Sequence, residues 1–247
     1  MCLVAFSFGV SKNYPLLFAT NRDELHTRPT SRSKWWKDHD HILGGRDLLA
    51  HGTWLAIDQS GRLAAVTNMP SNSEITFKKS RGHLVRDYLI SKLSADQFVS
   101  TLNNDGNGYA PYNLLIFDGI NMFYSNNKAS EKLLAPGTYA ISNAPIGTRW
   151  PKVRFAESMV TSALTSTTPE DDLFEMLENQ NLQNSKEDSF SYDDRQSRTF
   201  IKNKMFGTRS STVVVISGEG EVRFIERRYS PDGIRLEENQ HQFNLGS

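Results

Sequence analysis

Apolar positions along this chain fall into two rhythms, and their order predicts the elements. Short β-favouring runs broken by polar turns come first. Leu3 to Gly9 and Pro15 to Thr20, with Ser11-Lys12-Asn13 between them, predict a hairpin at the start of the chain. Thr53 to Asp58 and Arg62 to Thr67 flank Asp58-Gln59-Ser60-Gly61, whose glycine supplies positive φ, and the second of these strands ends at Asn68. Asn113 to Phe117 and Met122 to Ser125 surround Asp118-Gly119-Ile120-Asn121, and Thr138 to Ser142 gives a further strand. A last hairpin joins Thr212 to Ser217 and Glu221 to Arg227 through Gly218-Glu219-Gly220.

A three-to-four-residue rhythm marks the helices. Leu84, Val85, Tyr88, Leu89 and Leu93 form one stripe across Gly82 to Leu93, and Ser94-Ala95-Asp96-Gln97 has the form of a capping box opening the next helix. Pro151 suits the first turn of a helix reaching about Leu164, with Val153, Ala156, Met159, Val160 and Ala163 on one stripe. Thr168-Pro169-Glu170-Asp171 begins another, its acidic first turn matched to the helix dipole. Hairpins interleaved with helical pairs predict an α+β fold in which helices cover largely antiparallel sheets. No boundary divides the chain convincingly, so one domain over residues 1–247 is expected. The polar stretch Asn179 to Arg198 reads as an exposed loop.

Composition narrows the function classes. Lys plus Arg equals Asp plus Glu at 28 each, which gives no field for a nucleic-acid partner. The single cysteine excludes an intramolecular disulfide framework or a cysteine-rich metal site and suits a reducing compartment. Leu3 to Val10 is too short to span a membrane and lacks the leader of a secretory signal, so a cytoplasmic protein with no transmembrane segment is expected.

That one cysteine is Cys2. Loss of Met1 would place a thiol of pKa about 8.5 and an α-amine of about 7.7 to 8.0 on one residue, a nucleophile with its own base. A buried free cysteine near the start of a strand is the plainer alternative. Asn21-Arg22-Asp23-Glu24 offers Asp23 as an acceptor for the amine, or else a solvated strand-to-loop junction. Asn68 and Asn143 end two separate strands, where their amides could receive the oxyanion of a tetrahedral intermediate or simply form turns before Pro70 and Pro145. Arg209 could polarise the sulfur, bind an acidic substrate group or pair with Asp23. Gly44-Gly45 suggests a tight loop without nucleotide-binding spacing, Trp54 either caps a pocket or fills the core, and Trp35-Trp36 either offers an exposed contact for a flat hydrophobic ligand or partner protein or anchors its loop into the core. His39, His41 and His51 lack fixed partners, so no metal site is expected; a haem axial ligand could be sought among His26, His51, His83, His241 and Cys2 without preference.

Met1-Cys2, Asn21-Arg22-Asp23-Glu24 with Arg28-Pro29, Gly52-Thr53-Trp54-Leu55, Thr67-Asn68, Pro136-Gly137-Thr138-Tyr139 with Ser142-Asn143, and Gly207-Thr208-Arg209 together resemble the transport and Golgi organisation protein 2 family, also called the NRDE family. The resemblance runs from residue 1 to Phe243-Asn244-Leu245. It implies a four-layer αββα N-terminal-nucleophile hydrolase-like fold with two stacked antiparallel sheets. It also implies Cys2 as nucleophile, Asp23 as the carboxylate near its amine, Asn68 and Asn143 at the oxyanion hole, and Arg209 beside the sulfur, as in choloylglycine hydrolases and penicillin V acylases. Those enzymes carry an arginine before the Asn of Arg-Asn-x-Asp, where this chain has Thr20. Strand neighbours point to opposite faces, so Arg22 need not replace it. The family's biology implies intracellular haem binding, mobilisation or transfer, with a role in Golgi and secretory-pathway organisation or lipid homeostasis. Haem or a hydrophobic acyl-containing molecule would then be the cargo, haem-acceptor proteins the partners, and a mitochondrial or Golgi-associated pool conceivable. Two other functions stay open: an N-terminal cysteine amidohydrolase acting on a C–N amide bond without cofactor, and a non-catalytic adaptor in secretion.

Overall fold

The N-terminal hairpin is the centre of a larger sheet than its own residues suggest. In the computed structural model, which describes residues 2–71, 77–105, 108–127, 129–181 and 193–246, β1 (Cys2–Phe8) and β2 (Leu16–Leu25) pair antiparallel. β2 does not stop at Thr20. It continues through Asn21-Arg22-Asp23-Glu24, because the long strand β11 (Phe206–Ile216) pairs along its whole length, from Phe206↔Leu25 to Ile216↔Leu16. Main-chain pairing is indifferent to side-chain polarity, so a polar tetrapeptide paired with β11, its first two residues also with β1, stays extended.

Contacts gather the chain into two compact units, each taken in turn. The first comprises residues 1–27, 137–142 and 146–242. Its six-stranded sheet runs β10-β1-β2-β11-β12-β13, with β10 at Gly137–Ile141, β12 at Glu221–Tyr229 and β13 at Arg235–Asn244. All seven residues of β1 are buried, and the two faces are distinct. Leu3, Ala5, Leu17 and Ala19 pack with Val153, Ala156 and Val160 of α3 (Pro151–Ala163) and with Leu173, Phe174 and Leu177 of α4 (Pro169–Glu178). The opposite face stacks Phe6 on Phe18 and Tyr139, with ring centroids 5.9 and 5.4 Å apart. Side-chain alternation along β1 therefore separates a helix-covered aliphatic face from an aromatic one.

The second unit, residues 28–136, 143–145 and 243–247, carries a seven-stranded meander. Its order is β3 (Thr30–Trp35), β4 (Ile42–Asp47), β5 (Leu55–Asp58), β6 (Leu63–Asn68), β7 (Tyr112–Phe117), β8 (Met122–Asn126) and β9 (Ala129–Leu133). Helices α1 (Gly82–Ile90) and α2 (Ala95–Asp105) bury Leu84, Val85, Tyr88, Leu89, Phe98 and Val99 against Ala56, Ala64 and Ile116. α1 is shorter than its sequence stripe, since Ser91 turns extended and Leu93 is exposed. The turn after β5 is as expected: Gly61 has φ 87° and the Asp58 carboxylate accepts from the Ser60 and Arg62 amides.

Four strands escape the periodicity, β3, β4, β9 and β13. Gly44-Gly45, expected as a loop, lies inside β4, where a Cβ on Gly44 would stand 2.7 Å from the Leu55 carbonyl and one on Gly45 would strike the Trp54 ring. Close approach of the neighbouring strand, rather than a turn, requires those glycines. Trp36 is buried and donates its indole N–H to the Gly44 carbonyl, which settles the core alternative for that residue. Trp54 is only half-buried. The stretch Asn179 to Arg198, read as a loop, lies for 182–192 outside the described residues and includes the short helix α5 (Asp194–Ser197). No described helix is long and apolar enough to cross a membrane.

Candidate active site

Cys2 opens β1 at the point where the first sheet turns from apolar to charged. The residue is 8% exposed. Its register partner on β2 is Arg22, and residues directly opposite in an antiparallel pair share a face, with Cβ atoms about 4.5–5.5 Å apart. Arg22, which need not replace an arginine at position 20, lies two residues on from Thr20 and so on the same face of β2. Alternation along β2 does separate Arg22 from Asn21 and Asp23, but cross-strand pairing returns the guanidinium to the cysteine. Ser142, at the end of β10, donates its hydroxyl to the Cys2 carbonyl at 2.8 Å and fixes the backbone that carries the thiol. Burial pushes the thiol above its ordinary value and the Asp23 charge adds to this, while hydrogen bonding from the Asp23 backbone and the Arg22 charge oppose it. Met1, whose removal the amine-as-base reading needs, lies outside the described residues.

Asp23 is 2% exposed. Its Oδ1 accepts a 2.7 Å hydrogen bond from the Thr208 hydroxyl, which in turn accepts from the Ile201 amide at 2.9 Å. The bulge between Thr208 and Ser210 on β11 sets that hydroxyl against the carboxylate. Burial raises the carboxyl above its ordinary range; Lys152, the Thr208 hydrogen bond and Arg22 pull it back.

Lys152 is the functional candidate that the sequence reading missed. It is 0% exposed, and its ammonium is held below the usual lysine range by burial, against the pull of Asp23, Cys2 and Asp193. A signal for it existed. Lys152 stands four residues before Ala156 and eight before Val160, so it falls on the apolar stripe of α3 rather than on its solvent face.

The surrounding polar groups hold the strands. Thr20 gives its hydroxyl to the Leu3 carbonyl at 2.7 Å. Asn21 donates to the Leu177 and Thr199 carbonyls, each at 2.8 Å, and accepts from Ser211 at 2.6 Å, which ties α4 to the sheet. Arg209 is brought beside Arg22 and donates to the Leu25 carbonyl at 3.1 Å; burial and the Arg22 charge lower its pKa.

Asn68 and Asn143 both belong to the second unit, where they meet each other. The Asn143 side-chain amide donates to the Asn68 carbonyl, and the next residue's carbonyl, that of Ala144, receives Asn113 at 3.0 Å. Among the histidines, His26 places Nε2 2.9 Å from the Asn203 carbonyl and His83 2.6 Å from that of Ala50. No cluster of three metal-ligating side chains occurs among the described residues.

Comparison with known proteins fits this arrangement. A family model described as Transport and Golgi organisation 2 matches residues 1–231. The mouse Transport and Golgi organization 2 homolog is 30% identical over 276 residues and the Bos taurus homolog 31% over 280, each covering 100% of both chains. The Drosophila melanogaster Transport and Golgi organization protein 2 is 27% identical, covering 92% of this chain and 91% of its own. Among solved structures, the Caenorhabditis elegans ortholog of N-acylethanolamine-hydrolyzing acid amidase superposes with TM-score 0.52 at 12% identity, over 87% of this chain and 92% of its own. A conjugated bile acid hydrolase from Clostridium perfringens, solved as the mutant C2A, gives 0.52 at 10% identity, over 99% and 98%. At such identity the likeness concerns the fold, which is N-terminal-nucleophile hydrolase-like.

Proposed function

The chain belongs to the Transport and Golgi organisation 2 family, and from that premise we propose that it is an N-terminal cysteine amidohydrolase that cleaves the C–N bond of an N-acyl amide. The observation that carries this reading is the buried charge cluster around the only cysteine: Asp23, Lys152 and Arg22 all act electrostatically on groups at the head of β1. Burying such charges is costly, and perturbed titratable groups collected around a nucleophile are the signature of a reactive centre.

With Met1 removed, the Cys2 amine takes the thiol proton and the thiolate attacks the amide carbonyl. Collapse of the tetrahedral intermediate breaks the C–N bond, the ammonium returns its proton to the departing amine, and an acyl-thioester remains. Water then loses a proton to the same amine and attacks the thioester, releasing the carboxylic acid and restoring the thiol. Asp23 serves as acceptor for the amine, and the Thr208 hydroxyl fixes the carboxylate. The oxyanion role that the resemblance assigns to Asn68 and Asn143 enters as a kinetic expectation: loss of either amide lowers kcat by about 10²–10³.

The test begins with intact mass, to establish a free Cys2 terminus. N-acylethanolamines and conjugated bile acids, the compounds in the structural neighbours' names, then head a panel of N-acyl amides followed by release of the amine. Turnover lost in Cys2→Ala supports the proposal; retention of Met1, or equal turnover in Cys2→Ala, refutes it.

Haem carriage is a second reading, favoured by one feature of the first unit. A cleft of about 640 Å³ is lined by Phe200, Ile201 and Phe206 beside Arg198 and Lys202, which suits an apolar molecule bearing carboxylates. Saturable haem uptake and transfer to an apo-acceptor, lost in Lys202→Glu, would support it; binding only at nonspecific concentrations would end it. If neither amides nor haem are engaged, the adaptor reading is what remains.

A further inference from the structure

Lys152 is placed where a lysine works against the fold. It sits in the first turn of α3, directly after Pro151, at the positive end of the helix dipole, where no acidic residue offsets it. Its side chain is fully buried, and its Nζ has no hydrogen-bond partner among the described residues. A methionine would fill the same stripe position without desolvating a charge. Three unfavourable circumstances at one atom need a compensating interaction, and the groups that supply it are Asp23 first, then Cys2 and Asp193.

We propose that Lys152 is a positioning residue of the cysteine centre, whose ammonium keeps the buried Asp23 carboxylate ionised so that it can hold the amine freed by Met1 removal. The inference rests on the hydrolase reading. Arg22 does less of this work. It shares the cysteine's face of the sheet, whereas Asp23, its strand neighbour, points to the face that α3 and α4 cover. The two cations act on the centre from opposite faces of the sheet, Arg22 from the sulfur's and Lys152 from the carboxylate's.

Alkylation of Cys2 tests this without a substrate. The chain has one cysteine, so iodoacetamide addition followed by intact mass reads that thiol alone. In Met1-free protein, Lys152→Met is expected to move the acid limb of the alkylation profile up by about one pH unit, which makes the reaction about tenfold slower near neutral pH. In an Asp23→Asn background the same substitution should have a smaller effect, about threefold or less, since only the direct action of Lys152 on the thiol remains. An unchanged limb in folded Lys152→Met, or the full effect persisting with Asn at position 23, overturns the proposal. A measurement on the wild type covers failure of the variant to fold: with ¹³C-labelled aspartate, the Asp23 carboxyl should be ionised near neutral pH, and a protonated carboxyl there refutes the idea. Amide turnover separates the two claims. A protein that cleaves amides and ignores Lys152→Met loses only this inference, and one that shows the Lys152 effect but cleaves no amide loses the hydrolase reading.

Discussion

The two sheets bury polar groups in opposite ways. In the seven-stranded sheet, Asn113 donates to the Thr67 hydroxyl at 3.0 Å and accepts from the Tyr124 hydroxyl at 2.7 Å, and that hydroxyl accepts from Asn126 at 2.7 Å. Every member is neutral and satisfied, so the chain of bonds fixes the register of β6, β7 and β8 at little electrostatic cost. In the six-stranded sheet, the head of β1 and β2 buries Asp23, Arg22 and Lys152 around a thiol. Charges in a core contribute less than well-packed apolar groups would, and their removal one at a time is costly. The neutral network specifies a structure. The charged cluster is retained at the expense of stability, which is the physical ground for placing the chemistry there.

Lys152→Met should widen that contrast most. Removing one partner of a buried charge pair costs about 3–5 kcal/mol, and Asp23→Asn in the same chain should return much of it. The loss depends on pH. Asp23 has a folded-state pKa raised above its ordinary 3.8, so the native state takes up the proton more readily than the unfolded chain. The stranded carboxylate is therefore most harmful well above that raised value, and the deficit shrinks as pH falls through it. Urea unfolding near pH 8 and pH 5 reads the difference; a deficit independent of pH would contradict the assignment of charge to Asp23.

Thr208→Val comes next. It removes both the donor to Asp23 and the acceptor for the Ile201 amide, at a cost of about 2 kcal/mol. With that donor gone the Asp23 carboxyl rises further, so this loss too should grow toward alkaline pH. Tyr124→Phe is the smallest of the three. It leaves Asn113 Oδ1 and one Asn126 N–H without their bonds, for about 1.5 kcal/mol. The network holds no carboxylate, amine or imidazole, so the same urea titrations should give one value at both pH values. A pH-dependent Tyr124→Phe would erase the distinction between the sheets.

Much of this molecule was legible in its sequence. The turn at Asp58 to Gly61, the strand ending at Asn68, and the helices opening at Pro151 and Pro169 all follow from local chemistry, because turn residues, prolines and apolar stripes act within a few positions of themselves. The helix cap at Ser94 was visible for the same reason: its amide donates to the Gln97 side chain. Strands that owe their state to a neighbour were not. β13 alternates only between exposed and half-buried positions, the one residue β3 buries is a serine, Ser33, and the glycines of β4 read as a turn until Trp54 and Leu55 are placed against them.

By itself the sequence determined the class of the fold and the position of the one thiol, and it offered candidates to serve that thiol, since these depend on residue type and short-range order. Only tertiary structure decided which charges serve that thiol. Cross-strand register placed Arg22 opposite Cys2, and the packing of α3 on β1 carried Lys152 into the core across 150 residues of chain. Electrostatic energy depends on distance and burial, and neither is a property of position along the chain.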